Sequence, residues 1–307
     1  MIDRRRFLSL AAASFATGAA ALAQRPAIAA TGRITKPIPK SGERIGVIGM
    51  GSWITFNVGG DSAARAARTK VLDAFFKAGG GMVDSSPMYG SSEEVIGHCL
   101  GQLRPEGGLF SATKVWTSSK AEGSEQFKDS LRFWGLPKLD LYQIHNLVAW
   151  QDHLETLKAL KAEGRIRYIG ITTSHGRRHR DLERIIKTRP EFDFVQLTYN
   201  PDDREAEARL LPAAQAHGLG VIVNRPFQRG DLLERIGRKP LPGWAAEIGG
   251  TGWPQVLLKF AVSHPAVTCA IPATSQVPHM VENMAAGTGA LPDADIRKRI
   301  TGIVAGL

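Results

Sequence analysis

The chain has 307 residues, of which 43% are hydrophobic and 22% are charged, so it can bury one large core or two modest ones. This composition excludes an intrinsically disordered chain, and two cysteines are too few for a disulfide scaffold. The formal net charge of +10 raises the question of nucleic-acid binding. The basic residues are scattered, however, and aromatic residues do not alternate with them as base stacking requires. We therefore expect no nucleic-acid partner.

The first 29 residues have the pattern of an export signal. Residues 3–8 read DRRRFL, an Ala-rich apolar run follows to Ala23, and Ala27-Ile28-Ala29 offers the small residues that a signal peptidase requires. Residues 1–29 resemble a twin-arginine (Tat) signal peptide, which implies the Tat export machinery as a partner and a periplasmic location. Because the apolar run is shorter than the ~20 residues that span a bilayer, an uncleaved membrane tether is the less favoured alternative.

The rest of the chain alternates between strands and helices. Residues 30–43 contain two prolines and are predicted to form an extended lead-in. From residue 44 to residue 307, short β-branched runs alternate with segments of helical apolar spacing, and eight such units predict an α/β fold with a single (β/α)8 TIM barrel domain. The predicted strands are Arg44–Ile48, Gly81–Asp84, Leu109–Thr113, Leu139–Ile144, Ile166–Ile171, Phe192–Leu197, Gly220–Val223 and Val267–Ile271.

The turn after the first predicted strand looks like the start of a Rossmann dinucleotide site, because it contains Gly49 and Gly51. The Gly-x-Gly-x-x-Gly fingerprint needs a third glycine at position 54, where the chain has Ile54. We therefore expect any dinucleotide to be bound in another way.

Four polar residues follow neighbouring strands of the predicted barrel. The second strand ends at Asp84 and is followed by Tyr89, the third leads into Lys114, and the fourth leads into His145. In barrels of this type, chemistry takes place at the carboxyl ends of the strands. We therefore predict that Asp84, Tyr89, Lys114 and His145 meet at one rim as the catalytic residues.

The segments around these residues resemble the aldo/keto reductase family. They are VDSSPMYGSSEEVIG at 83–97, ATKVW at 112–116, DLYQIHN at 140–146 and GRIRYIGIT at 164–172. The resemblance covers nearly the whole predicted barrel. It implies an enzyme that transfers a hydride from a nicotinamide cofactor to the carbonyl group of a small aldehyde or ketone.

The four candidate residues suit this chemistry, because the alkoxide formed by hydride addition must be protonated. Tyr89 is the expected general acid, and the ammonium group of Lys114 is expected to lower the pKa of its hydroxyl. Asp84 would keep Lys114 charged and oriented, and His145 would donate a hydrogen bond to the substrate oxygen.

The resemblance also implies a site for the nicotinamide. Thr172, Thr173 and Gln196 stand where family members hold the carboxamide of the cofactor. Asn224, followed by Arg225, occupies the position of the aromatic residue that stacks on the nicotinamide ring. The site therefore departs from the family pattern on one face of the ring.

Further cofactor positions are implied for the rest of the dinucleotide. Ala273 and His279 take the places of the basic residues that bind the 2′-phosphate of NADP, so the cofactor can be NADP or NAD. The other implied positions are Gly51, Ser52 and Trp53 in the first loop, Thr274 and Ser275 for phosphate, and Glu282 and Asn283 for adenine. An apolar substrate pocket is expected from Trp53, Met88, Trp116 and Phe227.

Other features of the chain have simpler interpretations. The basic run HGRRHR at 175–180 is interpreted as a solvated helix entrance, and His175 and His179 lack a third ligand for a metal. Cys99 and Cys269 are predicted to be buried free thiols.

The alternative function is an exported protein of the same fold that binds or senses the cofactor with little turnover. Asn224 and Ala273 favour it, because each replaces a residue that grips the cofactor in the family.

Overall fold

The computed structural model describes residues 32–307 with the exception of 104, 106 and 107. The predicted export signal at residues 1–29 lies outside the described residues. The strands are β1 (Thr35–Pro37), β2 (Arg44–Gly46), β3 (Met50–Gly51), β4 (Met82–Asp84), β5 (Phe110–Val115), β6 (Leu139–Ile144), β7 (Ile166–Thr172), β8 (Phe194–Thr198), β9 (Gly220–Asn224) and β10 (Val267–Ala270). The helices are α1 (Ser62–Lys77), α2 (Ser92–Leu100), α3 (Lys120–Trp134), α4 (Trp150–Ala162), α5 (His179–Thr188), α6 (Glu205–Ala208), α7 (Leu210–Ala216), α8 (Asp231–Ile236), α9 (Trp253–Ser263), α10 (Val277–Ala285) and α11 (Ala294–Ala305).

Strands β3 to β10 form a barrel of eight parallel strands within the described part of the chain. Each strand pairs with the next one along the chain. The last strand returns to the first, because the Gly49 N–H donates to Ala270 O at 2.9 Å and the Gly51 N–H donates to Pro272 O at 3.0 Å. Helices separate successive strands, and the predicted (β/α)8 TIM barrel is confirmed.

The start of the barrel differs from the prediction. The first barrel strand is predicted at Arg44–Ile48, but only its end, at Ile48, bridges in parallel to Ala270 of the last strand. Residues 44–46 pair antiparallel with β1 instead, so the predicted extended lead-in is one arm of a hairpin. The first barrel strand is β3 instead. A Cβ at Gly51 would lie 2.8 Å from Ile271 O, and one at Gly49 would lie 3.0 Å from Met82 O. The barrel therefore closes along residues 47–51, where Val47 O accepts from the Ala270 N–H at 2.9 Å and the two glycines allow the backbones to approach closely.

The β1–β2 hairpin covers the amino-terminal end of the barrel. Ile38 and Ile45 are buried in the same apolar cluster as the inward-facing side chains of the barrel strands. Lys36 Nζ donates to three backbone carbonyls between residues 262 and 267, at 2.7 to 2.9 Å. Burial lowers the pKa of this lysine to about 8. The half-buried amine of Lys36 therefore anchors the hairpin to the end of α9 and to β10.

Aromatic side chains fill the same end of the barrel interior. The ring centroids of Phe110 and Tyr168 are 5.9 Å apart, and Phe194 packs edge-on against Tyr168 at 5.6 Å. These residues lie at or near the beginnings of their strands. Apolar packing thus occupies the amino-terminal half of the interior, and the polar residues that follow are confined to the carboxyl ends.

Two further sequence expectations concern single elements. Cys99 and Cys269 are free and buried, which confirms the prediction of two unpaired thiols. None of the helices in residues 32–307, where described, combines the length and apolar character needed to cross a bilayer.

Helices α2 and α3 approach each other closely at Gly97, which gives a stability test. A Cβ at Gly97 would lie 1.6 Å from Phe133 O. We expect Gly97→Ala to destabilise the protein by about 1–3 kcal/mol, because the helices must separate. The matched control is Gly302→Ala in α11, where a Cβ meets nothing within 4 Å, and it should stabilise the protein by up to about 1 kcal/mol. Thermal unfolding of both variants measures the difference, and similar melting temperatures would contradict the packing argument.

Candidate active site

The carboxyl ends of three neighbouring strands bring the predicted catalytic residues together. Asp84 is the last residue of β4, and His145 directly follows β6. Lys114 lies inside β5, which continues to Val115 and is longer at this end than predicted. Tyr89 ends a short 3-10 turn at Pro87–Tyr89, where the Ser86 hydroxyl accepts a hydrogen bond from the Met88 N–H at 3.2 Å.

A buried ion pair joins Asp84 and Lys114. Lys114 Nζ lies 2.5 Å from Asp84 Oδ1 and donates to Ser85 O at 2.7 Å, and both charged side chains are at most 2% exposed. The second carboxylate oxygen of Asp84 accepts from the side-chain amides of Gln143 at 2.9 Å and Gln196 at 3.0 Å. Because every charge here is paired and hydrogen-bonded, burial of the pair is tolerated.

The environment of Lys114 keeps it charged. Burial lowers the pKa of Lys114, but the negative charge of Asp84 and the contact with Tyr89 outweigh burial, so its pKa lies above the ordinary value. Its ammonium nitrogen is 5.2 Å from the centre of the Tyr89 ring. The lysine is therefore a permanent cation beside the tyrosine.

The pKa of Tyr89 differs from the sequence expectation. Burial raises the pKa of its hydroxyl above 10.0, and the opposing effect of Lys114 does not overcome burial. The ammonium group acts in the expected direction, but desolvation of the phenolate is larger. Tyr89 is therefore protonated throughout the neutral range in this structure.

His145 is held neutral and oriented. Burial, reinforced by the charge of Lys114, lowers its pKa well below 6.5. Its Nδ1 lies 2.8 Å from the Ser86 hydroxyl, and its ring meets the Tyr89 ring edge-on at 5.7 Å. Ser86 Oγ accepts from the Met88 N–H and can donate its own proton to Nδ1, and in that tautomer the imidazole proton lies on Nε2. Among the described residues Nε2 has no partner, so it is available as a donor.

A cavity of about 490 Å³ opens above this group. Asp84, Tyr89 and His145 contribute to its floor, while Lys114 lies beneath it. Predicted cofactor and substrate residues that line the cavity are Gly51, Ser52, Trp53, Met88, Thr172, Thr173, Gln196, Asn224, Arg225 and Phe227.

Other predicted residues lie outside the cavity lining. Trp116 was expected to wall the pocket, but its ring is 43% exposed, and its backbone is held away by two hydrogen bonds with the side chain of Gln126. The lining ends at Ala273, and the residues beyond it on the chain do not contribute. The predicted phosphate and adenine residues that lie beyond this point are Thr274, Ser275, Glu282 and Asn283. These four lie near the beginning of α10 or within it.

The polar groups at the cavity wall fit a nicotinamide carboxamide. The Thr173 hydroxyl and the Oε1 atom of Gln196 line the cavity and make no hydrogen bond to any residue that the structure describes. A carboxamide needs both a donor and an acceptor, and these two groups supply them. The amide of Asn224 is not free, because it donates to Thr173 O at 2.9 Å and accepts from Thr198 Oγ1 at 2.7 Å. It stiffens the cavity rim where family members place an aromatic ring.

Sequence reasoning missed several residues of this site. Ser86 hydrogen-bonds His145, and Gln143 hydrogen-bonds Asp84. Both could have been noticed in the sequence, because they are polar residues in or next to apolar strands. His175 and Arg229 line the cavity, although the basic run containing His175 was interpreted as a solvated surface. No cluster of three or more potential metal ligands occurs in the described ranges.

Comparison with known proteins agrees with this geometry. Residues 47–304 match the model of the aldo/keto reductase family. A curated relative, methylglyoxal reductase YeaE from Escherichia coli (strain K12), is 26% identical over 245 residues, which cover 78% of this chain and 84% of the relative.

Solved structures agree as well. An aldo/keto reductase from Klebsiella pneumoniae in complex with NADP and acetate is similar with a TM-score of 0.73 at 26% identity, covering 86% of this chain and 93% of that one. Another Klebsiella pneumoniae aldo-keto reductase, in complex with NADPH, has a TM-score of 0.74 at 25% identity, covering 88% and 95%. The family model spans almost all of the described barrel, and the chain therefore belongs to the aldo/keto reductase family of oxidoreductases.

Proposed function

We propose that this protein reduces the carbonyl group of small aldehydes or ketones with a reduced nicotinamide cofactor, and that Tyr89 is the proton donor. The observation that carries the proposal is the Asp84–Lys114 ion pair beneath Tyr89, with neutral His145 beside it, at the floor of a cavity. The name of the Escherichia coli relative and the NADP and NADPH in the Klebsiella pneumoniae structures support it.

The cofactor would be held by this chain's own polar groups. The Thr173 hydroxyl and Gln196 Oε1 can bind the carboxamide. Outside the cavity lining, the first turn of α10 offers backbone N–H groups beside Thr274 for phosphate. When bound, the reduced nicotinamide supplies the hydride.

The proton is delivered by a defined set of side chains. The Nε2–H group of His145 can donate to the carbonyl oxygen and polarise it. As charge develops on that oxygen, Tyr89 gives up its proton, and the adjacent ammonium of Lys114 stabilises the phenolate that remains. Asp84 keeps the ammonium in place and balances its charge when the tyrosine is neutral. Trp53 and Phe227 limit water above the site.

Export remains a prediction from residues 1–29, with a periplasmic location as its consequence. A Tat substrate crosses the membrane folded, which suits an enzyme that binds its cofactor before export. The low-turnover alternative is separated from the enzyme by measurement, since a sensing protein would bind NADPH yet consume little of it with any aldehyde.

Replacing Tyr89 by phenylalanine tests the proton donor. We expect turnover of NADPH with simple aromatic aldehydes to fall by about 10²–10⁴-fold, because the acid is lost while the ring remains. The NADPH dissociation constant should change little. Tyr142→Phe is the matched control, since its buried hydroxyl has no partner among the described residues. If wild type and Tyr89→Phe turn over alike, the acid assignment is wrong.

The pKa directions predict the pH profile of reduction. Tyr89 must be protonated and its pKa is raised by burial, while the pKa of His145 is lowered and the imidazole stays neutral. The turnover number with NADPH should therefore be nearly flat from about pH 6.5 to 9 and decline only at more alkaline pH. A tenfold decrease between pH 7 and 9 would indicate instead that Lys114 lowers the pKa of Tyr89 below its ordinary value.

The absence of arginine or lysine at positions 273 and 279, which are Ala273 and His279, predicts weak cofactor discrimination. We expect NADP to be preferred over NAD by less than ~100-fold, because charge-assisted hydrogen bonds to the 2′-phosphate contribute ~1.5–3 kcal/mol each and both are missing. Fluorescence quenching with each cofactor measures the ratio. Ala273 is exposed, so Ala273→Arg should increase the preference for NADP by about 10-fold or more. A wild-type preference of several thousandfold would contradict the argument.

A further inference from the structure

Glu93 is a buried acid that the proposed reaction does not use. It lies in the first turn of α2 and is 3% exposed. The other two buried acids among the described residues, Asp84 and Asp193, each pair with a lysine. Glu93 forms no ion pair with any described residue. Because a buried carboxyl group without a cation must be held by hydrogen bonds, its partners identify what it holds in place.

One oxygen of Glu93 connects three elements of the barrel wall. Its Oε1 atom accepts from Thr113 Oγ1 at 2.8 Å and from Trp134 Nε1 at 3.0 Å. Thr113 lies in β5 and Trp134 is the last residue of α3, and both are buried. The indole can reach this oxygen because Gly97, one turn further along α2, lets the two helices approach closely. Helix α2, helix α3 and strand β5 are therefore joined at a single buried atom.

The hydrogen bond to Thr113 fixes the strand from which Lys114 projects. Successive side chains of a strand point to opposite faces, so Thr113 faces α2 while Lys114 faces the barrel interior and pairs with Asp84. Burial raises the pKa of Glu93, and the charge of Lys114 on the other side of the strand opposes this effect without overcoming it. Glu93 thus lies behind the catalytic ammonium group, outside the cavity.

The residue next to Glu93 holds Tyr89. Ser92 is fully buried, and its hydroxyl donates to Tyr89 O at 2.9 Å. Gly90 has a positive φ of 62°, so the chain turns sharply between Tyr89 and the beginning of α2. Two consecutive residues at the start of one helix therefore contact the backbone of the proton donor and the strand of its ammonium neighbour.

We propose that Glu93 is a positioning residue that sets the separation of Lys114 and Tyr89 from outside the cavity. It acts as a hydrogen-bond acceptor that holds Thr113 against the start of α2, and so keeps the ammonium nitrogen 5.2 Å from the centre of the Tyr89 ring. If the strand and the helix move apart, Lys114 stabilises the phenolate less and Tyr89 becomes a weaker acid. The inference rests on the proposed reductase function and adds a residue to it.

Two substitutions of Glu93 separate the hydrogen bonds from the charge. Glu93→Gln keeps a carbonyl oxygen for both donors, so the turnover number with NADPH and a simple aromatic aldehyde should stay within about threefold of wild type. Glu93→Leu removes the acceptor at similar volume, and the turnover number should fall by about 10-fold or more. The KM for the aldehyde and the NADPH dissociation constant should change by less than about twofold, because the cavity lining is intact.

The ionisation of Tyr89 gives a readout that does not need turnover. Burial has the largest effect on its pKa, and the charged groups that act on it are Lys114, Asp84 and Arg225. In Glu93→Leu the pKa of Tyr89 should rise by about half a unit or more, because Lys114 moves away. The alkaline absorbance of tyrosinate measures it, as the difference between each protein and its Tyr89→Phe counterpart. The alkaline decline of turnover should move to higher pH in parallel.

Two further variants test the path and control for lost stability. Thr113→Val removes the partner hydroxyl at nearly constant shape, and the turnover number should fall by about 2–5-fold. Leu154 is buried in α4 and contributes neither to the cavity lining nor to the hydrogen bonds of Glu93. Leu154→Ala should lower the melting temperature by creating a void, yet leave the turnover number and the pKa of Tyr89 unchanged.

Several outcomes would overturn the inference. One is a folded Glu93→Leu protein with wild-type turnover, and another is a loss of about 10-fold or more in Glu93→Gln, which would show that the charge is required. An equal loss in Leu154→Ala would assign the effect to stability. If Glu93→Leu does not fold, unchanged turnover and an unchanged Tyr89 pKa in Thr113→Val would contradict the inference instead.

Failure of the proposed function is a separate result. If wild type binds NADPH and turns over no aldehyde, the reductase proposal is wrong. The tyrosinate titration of the Glu93 variants still decides whether Glu93 sets the distance between Lys114 and Tyr89, since it requires no substrate.

Discussion

The site depends on one buried ion pair. Lys114 and Asp84 could not be this deeply buried as separate charges, and the amides of Gln143 and Gln196 complete the carboxylate's hydrogen bonds. The pair joins β4 to β5 at the level where chemistry takes place, and it fixes a positive charge next to Tyr89. Removing either partner would leave the other uncompensated, so the site and the local fold are stabilised together.

The periodicity of the sequence predicted the barrel. It also predicted that four polar residues meet, because the carboxyl ends of parallel strands share one edge. The periodicity did not predict the correct bounds of the first barrel strand. The residue at which the chain leaves the hairpin and enters the barrel depends on how near the backbone can approach Ala270 and Ile271, and only the folded structure gives those distances. The pKa direction of Tyr89 is a similar case, since neighbouring charges are visible in sequence whereas desolvation is a property of the assembled site.

Two electrostatic environments lie a short distance apart in this cavity. At the floor of the cavity, Lys114 and Asp84 form an ion pair. Arg225 and Arg229 line the same cavity and form no ion pair with any residue that the structure describes. Burial at the floor keeps His145 neutral and Tyr89 protonated, which suits proton donation.

The β1–β2 hairpin has a consequence for how much of the chain makes a stable barrel. All eight barrel strands lie after residue 49, yet Ile38 supplies part of the apolar plug at the amino-terminal end, and Lys36 fastens it to α9. A shortened chain starting at Arg44 would retain every barrel strand and the entire catalytic group while exposing Phe110 and its neighbours to water. The minimal folding unit is therefore longer than the repeating architecture suggests.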